Sequence, residues 1–218
     1  IPDSVTSIGK AAFKGCNSLV SVTIGNSVAS IGGDAFYNCA SLTNVYITDI
    51  AKWCNITFSE DTLNEVSNPL YYAENLYING ELATDVVIPA GVTNIPEYAF
   101  SCENITSITI PDSVTNIESY AFYGCANLTS IEIPDSVKRL GSCAFAGCTS
   151  LASAIIGDGV IEIYDYAFDG CNSLTSVTMG SEIKVIMSHA FKNCRSLTRV
   201  NITDFAAWCA INFSNSLS

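Results

Sequence analysis

Ten cysteines and one histidine are the residues of this 218-residue chain best suited to chemistry, and their spacing limits what that chemistry can be. Thiolates and imidazoles hold zinc when they come in close pairs, and no Cys-x-x-Cys pair occurs. His189 has no second imidazole with which to share a metal, and no G-x-S-x-G, H-E-x-x-H or phosphate-binding glycine loop accompanies it. Paired carboxylates could cleave a glycosidic bond, yet nothing selects one pair from 21 acids. The expectation is no catalytic residue, no cofactor and no metal site. With 21 acids against 9 bases the chain cannot neutralise a phosphate backbone, so no nucleic-acid partner is expected. No apolar run approaches the roughly eighteen residues of a bilayer span, so no membrane insertion is expected either.

The cysteines sit in a repeat. Ala-Phe recurs at 12–13, 35–36, 99–100, 121–122, 144–145, 167–168 and 190–191, mostly 22 or 23 residues apart. Six of the seven copies place Cys three residues after Phe, as Cys16, Cys39, Cys125, Cys148, Cys171 and Cys194. In the third copy Cys102 comes one residue early, so its turn should be tighter or closed differently. Adjacent coils would bring such cysteines within bridging range, but an odd number in one column suits small packing residues better. Mostly free thiols are expected.

Each copy continues as Leu19-x-x-Val22-x-Ile24 and its equivalents, the pattern of a short strand whose alternate residues point inward. Pro or Gly then ends the strand, two more aliphatics such as Val5 and Ile8 follow, and Gly or Asn precedes the Cys. Such a Gly or Asn suits a left-handed cap, so the Ala-Phe stretch should be one helical turn opposite the strand. One coil cannot bury its apolar columns alone, so stability must come from stacking. Eight strands and a spine of seven Phe are expected. The unit IPDSVTSIGKAAFKGCNSLVSVTI at 1–24 resembles the BspA-type leucine-rich repeats of bacterial and protist surface proteins. The resemblance implies an α/β fold: a right-handed, curved leucine-rich-repeat solenoid with a parallel sheet on one face and short helical turns on the other.

A single solenoid over 1–218 is expected, with an enlarged irregular coil at 48–87. Asp49 should cap a short helix carrying Trp53 and Cys54, and Asn79-Gly80 should make a tight hairpin. TDFAAWCAINF at 203–213 repeats the opening of that coil, so 203–218 reads as its truncated second copy and the chain as a piece of a longer array.

The outward residues of the strands are mostly Thr and Ser. Such hydroxyls either solubilise a bare sheet or form a recognition surface. The candidate partner-binding face comprises Tyr46, Asp85, Thr109, Glu132, Ile155, Thr178 and Arg199. Between Lys52 and Lys138 there are twelve acids and no base, so the net charge of −12 belongs to this middle region. That field would attract a cationic partner or loosely held calcium, although no D-x-D-x-D-G loop is present. The leading expectation is a non-enzymatic binding or adhesion module with a macromolecular partner. The resemblance implies a host matrix protein, a cell-surface protein or a glycan, and an extracellular or cell-surface location. The rivals are a purely structural spacer and an accessory domain of a glycan-degrading enzyme.

Overall fold

The computed structural model describes residues 1–59 and 66–213. Its chain winds as a parallel β-solenoid with two ladders of strands around one apolar interior. The front ladder holds Ser21–Thr23, Asn44–Ile47 and Asn75–Ile78, then Asp85–Val87 and Ser107–Thr109, then Ser130–Ile133, Ser153–Ile156, Ser176–Met179 and Arg199–Ile202. Equivalent residues stand in register, for example Ile131 beside Ala154 and Ala154 beside Val177. Alternation places Val22, Val45, Val86, Ile131 and Val177 inside and leaves hydroxyls outside.

The front ladder has nine strands where eight are expected. The additional one, Asn75–Ile78, lies inside the enlarged coil, where Leu76 takes the place of Val45. It escapes the pattern because no Ala-Phe precedes it and buried Ala73 stands where other coils carry Leu. A short 3-10 helix, Pro69–Tyr71, capped by the Asn68 side chain, replaces the usual turn. The expected hairpin at Asn79-Gly80 is present, pairing Glu81–Leu82 antiparallel to Asn75–Ile78. Both turn residues have positive φ, 54° and 86°, as a two-residue hairpin loop requires.

The second ladder consists of two-residue strands, from Ser7–Ile8 through Glu162–Ile163 to Asn212–Phe213, formed around the second of the two turn aliphatics. The Ala-Phe stretches are turns and not helices. In the coil of Phe122, the N–H groups of Tyr123 and Cys125 reach back three residues to Tyr120 and Phe122, at 3.0 and 3.3 Å. Those of Tyr120, Phe122 and Gly124 instead reach the next coil, at Ser142, Ala144 and Ala146. Tyr120 and Gly124 are both left-handed, with φ of 58° and 71°, so a right-handed helix has no room to start. Ala11, Asp34, Tyr98, Cys143, Tyr166 and His189 share that left-handed column. Each costs about 1 kcal/mol in isolation, and at Ala11, Tyr120, Cys143 and Tyr166 a backbone N–H bond to the next coil holds it there.

Phe36, Phe100, Phe122, Phe145 and Phe168 are fully buried, and successive rings stack 5.1 to 5.7 Å apart from Phe100 to Phe191. The spine is interrupted in the enlarged coil. There Asp49 caps the helix Ile50–Cys54 as expected, and that helix buries Trp53. The indole N–H of Trp53 donates to the Ala99 carbonyl at 2.9 Å, a bond made elsewhere by a Phe backbone N–H, as from Phe122 to Ala144. The helix Phe205–Cys209 repeats this unit, with Asp204 capping it and Trp208 set edge-on to Phe213 as Trp53 is to Phe58. Residues 214–218 of the expected truncated coil, like 60–65 of the enlarged one, lie outside the described residues.

The coils touch backbone to backbone on the side where Pro or Gly ends each front strand. A Cβ on Gly159 would strike the Asp135 carbonyl oxygen. Gly159→Ala should therefore lower the unfolding free energy by about 2 kcal/mol. Gly9→Ala, which meets nothing within 4 Å, should shift the urea midpoint hardly at all. Equal midpoints for the two variants would contradict this stacking.

Candidate functional site

All ten cysteines are free thiols. The column does more than fill space: the thiols of Cys39, Cys125, Cys148, Cys171 and Cys194 each donate to a Phe carbonyl of the preceding coil at 3.1 to 3.3 Å. A Cys is thus a small apolar residue that also satisfies a buried carbonyl, which Ala or Val could not do. Burial pushes the thiols of Cys102 and Cys148 well above their ordinary range. His189 is exposed, left-handed and stacked on Tyr166 at 4.9 Å. Among the described residues no group of three or more His, Cys, Asp or Glu comes together in a form that could hold a metal.

The seven candidate face residues all lie on the front sheet, in two neighbouring columns. Asp85 pairs with Ser107 and Arg199 with Ser176, so these two share the first column. Tyr46, Thr109, Glu132, Ile155 and Thr178 occupy the second. They are spread along the sheet and form no single constellation. Tyr46 stacks on Tyr77 with ring centroids 4.6 Å apart, making a two-ring platform. Tyr77 belongs to the extra strand and so is absent from the sequence-based face. Asp85 accepts hydroxyl hydrogen bonds from Thr84, Thr106 and Ser107. The Asn201 amide donates to the Thr178 hydroxyl at 3.3 Å, and Arg199 is exposed.

Three of the seven do meet. Ser107–Thr109 and Ser130–Ile133 are consecutive front strands that are not paired as a ladder, and Thr129 N–H to Thr106 at 3.5 Å is the backbone bond between their ends. The break opens a cleft of about 310 Å³ lined by Thr109, Glu132 and Ile155 together with Ile108, Asp112 and Asp135. Ile108 is half-exposed here, although Val86 and Ile131 in the same inward column are buried.

Asp112 and Asp135 follow Pro111 and Pro134 in a column that elsewhere ties coils together. Asp3 accepts from the Asn26 N–H, Asp135 from Asp158 and Asp158 from Ser181, at 2.7 to 2.8 Å. Across the break no such bond joins Asp112 to the coil of Asp135, so among the described residues the Asp112 carboxylate has no hydrogen-bond partner. The cleft therefore combines an apolar floor, three carboxylates and unpaired strand edges. The Pro-Asp-Ser recurrence at 2–4, 111–113 and 134–136 could have pointed to these acids, but nothing in it marks where a ladder will part.

A family profile described as the BspA type leucine-rich repeat region matches residues 1–101 and 93–217, with six copies. A leucine-rich repeat protein from Eubacterium ventriosum superposes with a TM-score of 0.60 at 22% identity, over 90% of this chain and 70% of that one. A leucine-rich cell surface protein from Faecalibacterium prausnitzii is 24% identical over 98% of this chain and 87% of that one, with a TM-score of 0.40. The leucine-rich repeat protein of T. pallidum is 21% identical over 89% and 73% of the two chains, with a TM-score of 0.44. No curated protein matches the sequence. Six profile copies spanning nearly all of the chain, on a stacked parallel solenoid, establish that it belongs to the BspA-type leucine-rich repeat family.

Proposed function

We propose that this chain is a non-enzymatic binding module, acting outside the cell or at its surface, whose front sheet receives a macromolecular partner carrying exposed lysine or arginine. The observation that carries the reading is the acidic break at Thr109, Glu132 and Ile155. It lies at one of the two places where the front strands part, in the stretch of chain that has twelve acids and no base. Apolar contact with Ile108 and Ile155 supplies affinity, and the carboxylates supply orientation and a faster approach for a basic surface. Among the described residues no helix is long and apolar enough to cross a membrane.

The test is a screen of the full chain against immobilised matrix proteins and polysaccharides, repeated with Glu132→Lys and Ile155→Asp. Each variant should weaken binding to a basic protein partner by about tenfold or more, and added salt should weaken the unmodified chain. Val20→Ser, at the far end of the same face, should leave binding unchanged. Binding that ignores both cleft variants, or binding to neutral polysaccharide alone, would overturn the reading. Failure to bind any partner would leave the chain a spacer.

A further inference from the structure

The turn side of the solenoid carries a second opening, independent of the front-sheet reading, at the coil that lost a residue. In the regular coils the Gly before Cys donates its N–H to the carbonyl of the residue after Phe in the next coil, as Gly124 does to Ala146 and Gly147 to Asp169, both at 2.8 Å. In Ala99-Phe100-Ser101-Cys102 that Gly is absent, and the turn closes early, with the Cys102 N–H reaching the Phe100 carbonyl at 2.8 Å. The orphaned carbonyl of Tyr123 is taken instead by the Ser101 hydroxyl, also at 2.8 Å. The bond is replaced and the volume is not. A pocket of about 210 Å³ remains, bounded by Tyr71, Tyr123, Glu74, Glu103, Ser101 and Leu70.

Its walls are aromatic and held in place. Tyr98 and Tyr120 stack 4.8 Å apart at 12°, and Tyr98 is buried. Tyr71 meets Tyr98 edge-on at 74°, and Tyr123 meets Tyr120 at 67°, so both outer rings stand steeply to the stacked pair. These outer rings are half-exposed, at 50% and 46%, so each retains surface that a ligand could cover. Glu74 and Glu103 are exposed at the rim, within the base-free stretch of the chain. Aromatic faces carry negative potential, and carboxylates beside them select a positive charge on an apolar body.

The geometry points to a binding site for an alkylammonium group in the pocket between Tyr71 and Tyr123. A methylated ammonium suits it best, because it sheds water more readily than a primary amine and the slot's inner walls are rings, with the carboxylates at its rim. The group lies between the two rings and keeps its charge toward Glu74 and Glu103.

The test titrates tetramethylammonium into the full chain, following tyrosine fluorescence, with tert-butanol as an uncharged ligand of similar shape. Saturable binding of the cation is expected, with tert-butanol about tenfold weaker. Tyr71→Ala or Tyr123→Ala should weaken the cation about five- to tenfold, Tyr71→Phe should keep it within twofold, and Glu103→Gln should weaken it severalfold. A glycine inserted between Ser101 and Cys102 should rebuild the regular turn, fill the pocket and abolish binding while the thermal transition is retained. Equal binding of tert-butanol, indifference to the ring and carboxylate variants, or no saturable binding of the cation would each overturn the assignment. Tyr71→Phe and Glu103→Gln leave the packing intact, so a folding defect in an alanine variant does not blunt the test.

Discussion

Phe145→Ala should lower the unfolding free energy by about 4 kcal/mol. Phe145 is fully buried, and its ring stacks on Phe122 at 5.1 Å and on Phe168 at 5.2 Å. Truncation removes the transfer free energy of the ring and leaves a void that neighbouring coils cannot close, because each is tied to the next through its own backbone. Phe145→Leu, which keeps much of the volume, should cost less than half as much. Phe13→Ala should also cost less, since Phe13 ends the column and is half-exposed. In a solenoid each coil contacts only its neighbours, so a weak coil in the middle can also uncouple the two halves. Trp53 and Trp208 lie on opposite sides of Phe145 in sequence and report the halves separately. Urea unfolding followed by tryptophan fluorescence and by circular dichroism should show a lowered and broadened transition for Phe145→Ala. A loss no larger than that of Phe13→Ala would refute the stacked spine as the main support of the fold.

The architecture could be read from recurrence because its physical cause is local and repeated. Every coil needs the same inward aliphatics, and a missing one exposes its neighbours, so Val22, Val45 and Ile131 announce themselves. Features that depend on one coil answering another were invisible. The left-handed column shows no glycine: Ala11, Tyr120, Cys143 and Tyr166 adopt positive φ where their N–H groups bond to the next coil, and composition carries no trace of that. The strand Asn75–Ile78 carries no repeat signature, because Ala73 and a 3-10 turn stand in for Leu and Ala-Phe. The tighter turn at Cys102 was foreseeable by counting residues, but the pocket beside it depends on where Tyr71 returns from the enlarged coil. The front face shows the same division. Alternation identifies Thr109, Glu132 and Ile155 as outward, whereas their shared cleft exists because two strands with ordinary sequences fail to pair.

Raising the pH above about 9 should destabilise the protein steeply, and three buried thiols, those of Cys54, Cys102 and Cys148, are the reason. Burial, reinforced by the charge of Asp49, pushes Cys54 up to about 12, and burial raises Cys102 and Cys148 in the same direction. Burial likewise pushes Tyr120 up to about 12. In the unfolded chain a thiol ionises near 8.5. Above that pH the unfolded state releases protons that the folded state must keep, so the stabilising contribution is complete below about pH 8.5 and is lost as pH climbs toward the folded values. Each thiol should remove about 1.4 kcal/mol per pH unit in that window, and the three together about 4 kcal/mol per unit. Urea midpoints measured from pH 7 to pH 10.5 should therefore be flat at first and then fall sharply. Cys148→Ala loses the thiol bond to the Phe122 carbonyl and should be less stable at pH 7, yet its alkaline slope should be shallower by about 1.4 kcal/mol per unit. The gap between the two proteins must then narrow as the pH rises. Parallel curves would mean that Cys148 ionises as freely in the folded state as in the unfolded one, which a sealed interior between stacked coils does not allow.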